Sequence, residues 1–212
     1  RNFTDAELLA AAEVARRQGL YDRAINTANR TVSKHDFNLR FLAPHRATVK
    51  KVLQQHELDE AWVYGLIRQE SRFIADIKSH AGAIGLMQLM PSTADWVAKQ
   101  LGIKNFRHSI ISDVNTNLRL GTYYLKHVLS TLDNQPLLAS AAYNAGPGRA
   151  KRWRDDYRAL EGAIYAETIP FNETRDYVKK VLKNSMYYAK VLNHGNGAPT
   201  LKERLGTIAP KP

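Results

Sequence analysis

The stretch GLIRQESRF, residues 65–73, sets a carboxylate, Glu70, among apolar residues. Read as a helix, Val63, Leu66, Ile67, Phe73, Ile74 and Ile77 recur at three- and four-residue spacings, with Glu70 in the middle of their face. Apolar surroundings disfavour the charged form and raise a carboxylate's pKa. A helix ending soon after Glu70 would add its exposed carbonyls to that effect. An acid held protonated near neutral pH can serve as general acid in glycosidic cleavage. Position alone favours a plainer reading, a rim glutamate whose charge reaches water.

Three further clusters carry residues of suitable chemistry. SHAGAIGLMQLMPSTA (79–94) has Gly82 and Gly85 for tight turns, then Gln88 between Met87 and Met90. A glutamine amide both donates and accepts, which suits sugar hydroxyls and acetamido groups, and methionine offers an adaptable apolar wall. AAYNAGPGR (141–149) sets Tyr143 and Asn144 before a Gly-Pro-Gly turn. IPFNETRDYV (169–178) supplies a second carboxylate, Glu173, near an expected helix start, where the dipole favours its charged form. Each cluster alone fits a loop around a core, a helix C-cap or a helix start equally well.

The elements that must position these residues are helical. Thr4 to Glu7 has the form of a capping box opening an Ala/Leu-rich helix, with Gly19 as its stop. YDRAINTANR predicts a second short helix, so the two form a hairpin of the kind stacked in α-solenoids. A lone hairpin buries its apolar side poorly, which suggests the last rung of a longer array. Residues 31–56 predict a connector plus a helix near 46–55, and Asp59 is placed to cap the Glu70 helix. Pro91 to Gly102, Asp113 to Asn134, and 135–146 ending at Gly146 predict three more helices. Asn172 or Thr174 is placed to cap a final helix running to about Asn193. The tail after it, rich in Gly and Pro, is expected to pack loosely. Strand signal is confined to 79–90, as a small hairpin or extended loop, so the expected fold is mainly α.

Composition narrows the functional classes. The 212 residues are 44% hydrophobic and 24% charged, ordinary for a globular chain. There is no cysteine, which excludes disulfides, thiol catalysis and cysteine–zinc sites. The seven histidines lack HExxH spacing, and no GxSxG elbow, P-loop or dinucleotide fingerprint occurs, so no metal and no cofactor is expected. No apolar run approaches the ~20 residues of a membrane helix. The opening RNFTDAELL has neither Met nor a signal peptide, which predicts a chain processed or cut from a longer one. The net charge of +11 suits a polyanionic partner or simple solubility. Without finger spacing or a long Lys/Arg run, nucleic acid is the weakest partner class.

Taken together, IRQES, KSHAGAIGLMQLMPSTA, AAYNAGPGRAKRW and IPFNETRDYVKKV resemble, in order and rough spacing, the catalytic domain of the soluble lytic transglycosylases. That family's fold is similar to goose-type lysozyme, and the resemblance covers about residues 57–190. It implies a mainly α, lysozyme-like catalytic domain over 57–195. Before it would lie a helical hairpin and linker region (1–56) ending a longer α-superhelix, and after it a tail (196–212). Glu70 would be the single general acid/base. Ser79, Gln88 and Met90 would line the glycan groove, Tyr143 and Asn144 would flank the catalytic centre, and Glu173 would lie near the bound sugar. Arg175 and Tyr177 match the last motif and are expected to be scaffold. One departure is visible: ESRFIADIKS lacks the proline common in the family after the catalytic pair, so the helix end rests on resemblance.

The implied reaction is cleavage of the bond between N-acetylmuramic acid and N-acetylglucosamine in peptidoglycan, leaving a 1,6-anhydromuramoyl end. A lysozyme-type muramidase that hydrolyses the same bond, and a non-catalytic glycan-binding module, are the alternatives. The implied setting is the periplasm, with glycan strands as substrate and cell-wall synthesis proteins as candidate partners. A monomer is expected, with no nucleic acid bound and no integral membrane segment.

Overall fold

The computed structural model describes residues 3–193 and 198–211. Its helices begin largely where the capping residues stand. Thr4 closes its box with Glu7 and opens α1 (Asp5–Arg17), and a turn at Gly19 leads into α2 (Tyr21–Ala28). A short α3 (Phe37–Arg40), capped by Asp36, lies in the segment read as connector. Then come α4 (Arg46–Leu53), α5 (Glu60–Glu70) capped by Asp59, α6 (Pro91–Gln100) with Pro91 in its first turn, and α7 (Val114–Ser130) capped by Asp113. The chain continues with α8 (Pro136–Ala145), α9 (Pro147–Arg152), α10 (Gly162–Thr168), α11 (Asn172–Asn193) and α12 (Leu201–Leu205). The only named strands among the described residues, β1 (Leu160–Glu161) and β2 (Thr207–Ile208), pair antiparallel, and the fold is mainly α.

The centre of the core is the crossing of α5 and α11. Gly65 permits their close approach, because a Cβ there would stand 2.8 Å from the Val181 carbonyl oxygen. Around that contact Trp62, Val63, Leu66 and Ile67 bury themselves against Val178, Val181, Leu182 and Tyr188. The N-terminal hairpin contributes Ala24, Ile25 and Ala28 to the same cluster, which answers how so short a pair of helices covers its apolar side. Hydrogen bonds tie the connector to this centre: Tyr64 donates to the Pro44 carbonyl at 2.9 Å and Tyr188 to that of Leu42 at 2.8 Å.

Several expectations are corrected. Phe73, Ile74 and Ile77 do not continue the Glu70 helix, because α5 ends at Glu70 itself. Ser71 is the cause: its hydroxyl donates to the Ile67 carbonyl and accepts the Phe73 N–H at 3.0 Å, a local pattern that competes with the helix. Arg72 and Phe73 then take φ of 48° and 69°. α7 stops at Thr131, ahead of Asn134, which instead sits in a turn at φ 54° beside Asp133. Pro147 starts α9 rather than merely following α8. Thr174 does not cap α11; the Arg175 N–H reaches the Phe171 carbonyl at 2.9 Å, one residue before Asn172.

The described part of the tail, 198–211, is not loose either. Within it Thr200 and Glu203 form a capping box, β2 pairs with β1, and the buried Arg204 meets Asp59, the cap of α5, at 3.3 Å. A guanidinium with its carboxylate partner can be buried where a lone charge could not. The expected loop at 79–90 is present, with isolated bridges from Ile84 to Lys78 and Leu89.

Candidate active site

Glu70, the last residue of α5, brings its carboxylate to the point where α11 crosses. There the Tyr177 hydroxyl donates to Glu70 Oε1 at 2.5 Å. Burial pushes the Glu70 pKa up to about 7, the charge of Glu173 adds to the rise, and the Tyr177 bond opposes it. Tyr143 and Tyr177 lie near enough that burial and then the Glu70 charge hold both phenols protonated, far above their usual range. Glu173 itself is exposed in the first turn of α11.

Beside the carboxylate runs a groove of about 260 Å³, lined by Asp22, Asn26, Gln69, Glu70, Ser71, Arg72, Ile74 and Ile77. Helix α2 supplies Asp22 and Asn26 to one wall. The segment after α5, bent by Ser71, supplies the rest. Glu70 is therefore packed by protein on its inner side and open to the groove on the other.

The loop at 79–90 is held rigidly behind this centre. Leu86, Met87 and Leu89 are buried, and Gly121 makes room for Met87, whose sulfur a Cβ would meet at 2.4 Å. Asn117, fully buried on α7, accepts the Met87 N–H at 2.8 Å and donates to the carbonyls of Ile84 and Ile111. Tyr143 on α8 closes the assembly by donating to the Met87 carbonyl at 2.8 Å. The next residue, Asn144, accepts from Thr174 at 2.7 Å and so joins α8 to the start of α11.

With that geometry in hand, comparison with known proteins is informative. The family profile for the transglycosylase SLT domain matches residues 47–166, and that for the soluble lytic transglycosylase helical domain matches 168–197. The chain belongs to the SLT transglycosylase family. The soluble lytic murein transglycosylase of Escherichia coli K12 is 37% identical over 151 residues, covering 70% of this chain and 23% of that protein. Among solved structures, lytic transglycosylase Slt of Pseudomonas aeruginosa, an inactive mutant with glutamine for glutamate, has 39% identity and a TM-score of 0.85. That likeness covers 95% of this chain and 32% of the other. The 70 kDa soluble lytic transglycosylase of E. coli has 30% identity and a TM-score of 0.82, covering 97% and 32%. The chain thus spans roughly a quarter to a third of these three relatives.

Within this SLT domain the residues read from sequence take different places. Glu70, Tyr143 and Glu173 converge electrostatically. Of the seven residues expected in the site, Glu70 is the one that lines the groove beside α2. Ser79 accepts the Ala83 N–H at 3.0 Å and shapes the loop turn. Gln88, at φ 45°, spends its amide donors on the carbonyls of Gly85 and Ile77. Met90 is exposed, while its neighbour Met87, read as a second wall residue, belongs to the core.

Tyr177, expected to be scaffold, touches the carboxylate directly. Its spacing from Glu173 in NETRDY carried that signal, because residues four apart on a helix share a face. Asp22, Asn26 and Asn117 gave no sequence signal at all. Asn117→Ala is expected to cost about 1–3 kcal/mol for each buried group left unpartnered. A lowered urea midpoint at an unchanged m-value would register it, and an unmoved midpoint would show that the loop is not pinned there.

Proposed function

We propose that the chain acts on peptidoglycan as a lytic transglycosylase, cleaving the β-1,4 bond between N-acetylmuramic acid and N-acetylglucosamine. The carrying observation is Glu70, a carboxylate raised to about pH 7 by burial, open to a groove and held by Tyr177. Family membership supports this reading, as do relatives named murein transglycosylases and a neighbour solved as an inactive glutamate-to-glutamine mutant.

Glu70 gives its proton to the glycosidic oxygen as the C1–O bond breaks, which frees the N-acetylglucosamine hydroxyl. The substrate's own N-acetyl group supports the cationic C1, replacing the second carboxylate most glycosidases use. Glu70, now ionised and stabilised by Tyr177, takes the proton of the muramoyl 6-hydroxyl as that oxygen bonds to C1. No water enters the balance, and an attacking group on the same sugar has a large effective concentration. Gln88 and Met90 on the loop, with Tyr143, Asn144 and Glu173 around the carboxylate, would hold the sugars, and Ser79 would shape the loop's turn. The periplasm, where this polymer lies, is the compartment that fits.

A second reading has one specific observation behind it. Asp22 lines the same groove as Glu70 and is a carboxylate able to activate water, as in a hydrolase. Mass spectrometry of digested peptidoglycan separates the two. We expect muropeptides one water lighter than hydrolysed ones, from the parent and from Asp22→Asn alike. Reducing-end muramic acid as the product, lost in Asp22→Asn, would establish the hydrolase instead.

A further inference from the structure

Arg119, Tyr123 and Lys126 recur on α7 at four- and three-residue spacing and share one face of that helix. Between this helix and α4 lies a groove of about 450 Å³, lined by Thr48, Lys51, Val52, Gln55, Asn115 and Arg119. It has no lining residue in common with the groove at Glu70. Next to it stands His56, edge-on to the Tyr123 ring at 5.9 Å, with Nε2 buried and without a hydrogen-bond partner. Burial first, and then the charges of Lys126 and Arg119, lower the His56 pKa. Among the described residues no carboxylate pairs with Lys51, Arg119 or Lys126, although ten ion pairs form elsewhere on the molecule. Gathered like charges repel, and the repulsion is relieved when an anion settles among them.

The lining is more than a basic patch. Thr48, Gln55 and Asn115 offer neutral donors and acceptors, and Val52 an apolar floor, in a depression the size of a small-molecule site. We propose that this groove is a second saccharide site, which takes an acidic amino sugar: its carboxylate on Lys51 and Arg119, its hydroxyl and acetamido groups on Thr48, Gln55 and Asn115. The inference rests on the peptidoglycan reading above, since muramic acid residues freed of their stem peptides carry a lactyl carboxylate. Two sites on one polymer make the second contact intramolecular, so a weak second site holds the enzyme on such strands between cuts.

The test is nuclear magnetic resonance of the chain with N-acetylmuramic acid and, separately, N-acetylglucosamine and inorganic phosphate, none of which offers a bond to cleave. We expect N-acetylmuramic acid to shift the amides around 48–56 and 115–126 and the His56 ring. N-acetylglucosamine, without the carboxylate, should bind there at least about tenfold more weakly, the loss for hydrogen bonds to a charged partner. The double substitution Lys51→Gln with Arg119→Gln, at two exposed positions, should erase the response. It should also weaken retention on sacculi freed of stem peptides about tenfold through lost avidity, with turnover of soluble glycan unchanged. Equal shifts with phosphate would reduce the groove to an anion site. Shifts confined to the Glu70 groove, or unchanged retention in the double variant, would overturn it. Absence of any turnover by the parent chain would instead count against the reading of Glu70.

Discussion

Glu70→Gln is expected to remove turnover while glycan binding survives, with a loss of about 10²–10⁴-fold from the acid/base role. Glutamine keeps the shape and can still accept from Tyr177, so the groove stays formed, but it can neither give nor take the proton. The same substitution has a second consequence, in stability. In the folded chain Glu70 titrates near 7, above the 4.5 usual for a glutamate. Between those values the folded state holds a proton that the unfolded state has released, so stability falls as pH rises. The favourable contribution is complete below about pH 4.5 and is gone once pH passes about 7. In alkaline solution what remains is the cost of an ionised, desolvated carboxylate, on the order of 3 kcal/mol from the size of the shift. Glutamine does not ionise. At pH 8 the variant should therefore unfold at a higher urea concentration than the parent, and at pH 4 the two midpoints should meet. Full turnover in the variant would end the assignment of Glu70. Lower stability of the variant at pH 8 would show that the carboxylate is solvated and that its acidity is ordinary.

How far sequence reading reaches can be judged at Glu70 itself. The motif around it, the caps at Thr4, Asp59 and Asp113, and the stop at Gly146 are local signals, each set by residues within one turn, and the structure obeys them. The reason for burial was misread. Periodicity placed Glu70 within a stripe reaching Ile77, yet the helix ends on Glu70 and the crossing by α11 desolvates it. Ser71 carried the local clue, because a hydroxyl that bonds both ways along the backbone breaks a helix without glycine or proline. Contacts distant in sequence left no such trace. Asp22 reaches the groove only because Ala24, Ile25 and Ala28 bury the hairpin in the same apolar cluster as α5, and Asn117 matters only because the loop folds over α7. The buried Arg204 lies in a glycine- and proline-rich tail, and its carboxylate partner Asp59 stands far away in sequence.

Tyr177→Phe is the sharper probe of how the centre works. The phenol donates to Glu70 at 2.5 Å, and a donor stabilises the ionised carboxylate more than the neutral acid. In the first half of the proposed reaction Glu70 must start protonated, which burial favours. In the second half it must persist as a carboxylate long enough to take the 6-hydroxyl proton, and the Tyr177 bond is what lowers the cost of that state. Phenylalanine fills the same space, so packing is kept and one charge-assisted bond is lost. Such a bond contributes about 1.5–3 kcal/mol, which corresponds to roughly a ten- to hundredfold fall in kcat. The loss also has a direction on the pH axis. Without its donor, Glu70 should hold its proton to higher pH, so the alkaline limb of the kcat/KM profile, which reports that proton in the free enzyme, should move upward. A residue that merely supported α11 would lower the urea midpoint and leave that limb in place. A profile of unchanged shape with reduced stability would return Tyr177 to the scaffold, whereas a shifted limb at near-parental stability makes it the group that lets one carboxylate serve first as acid and then as base.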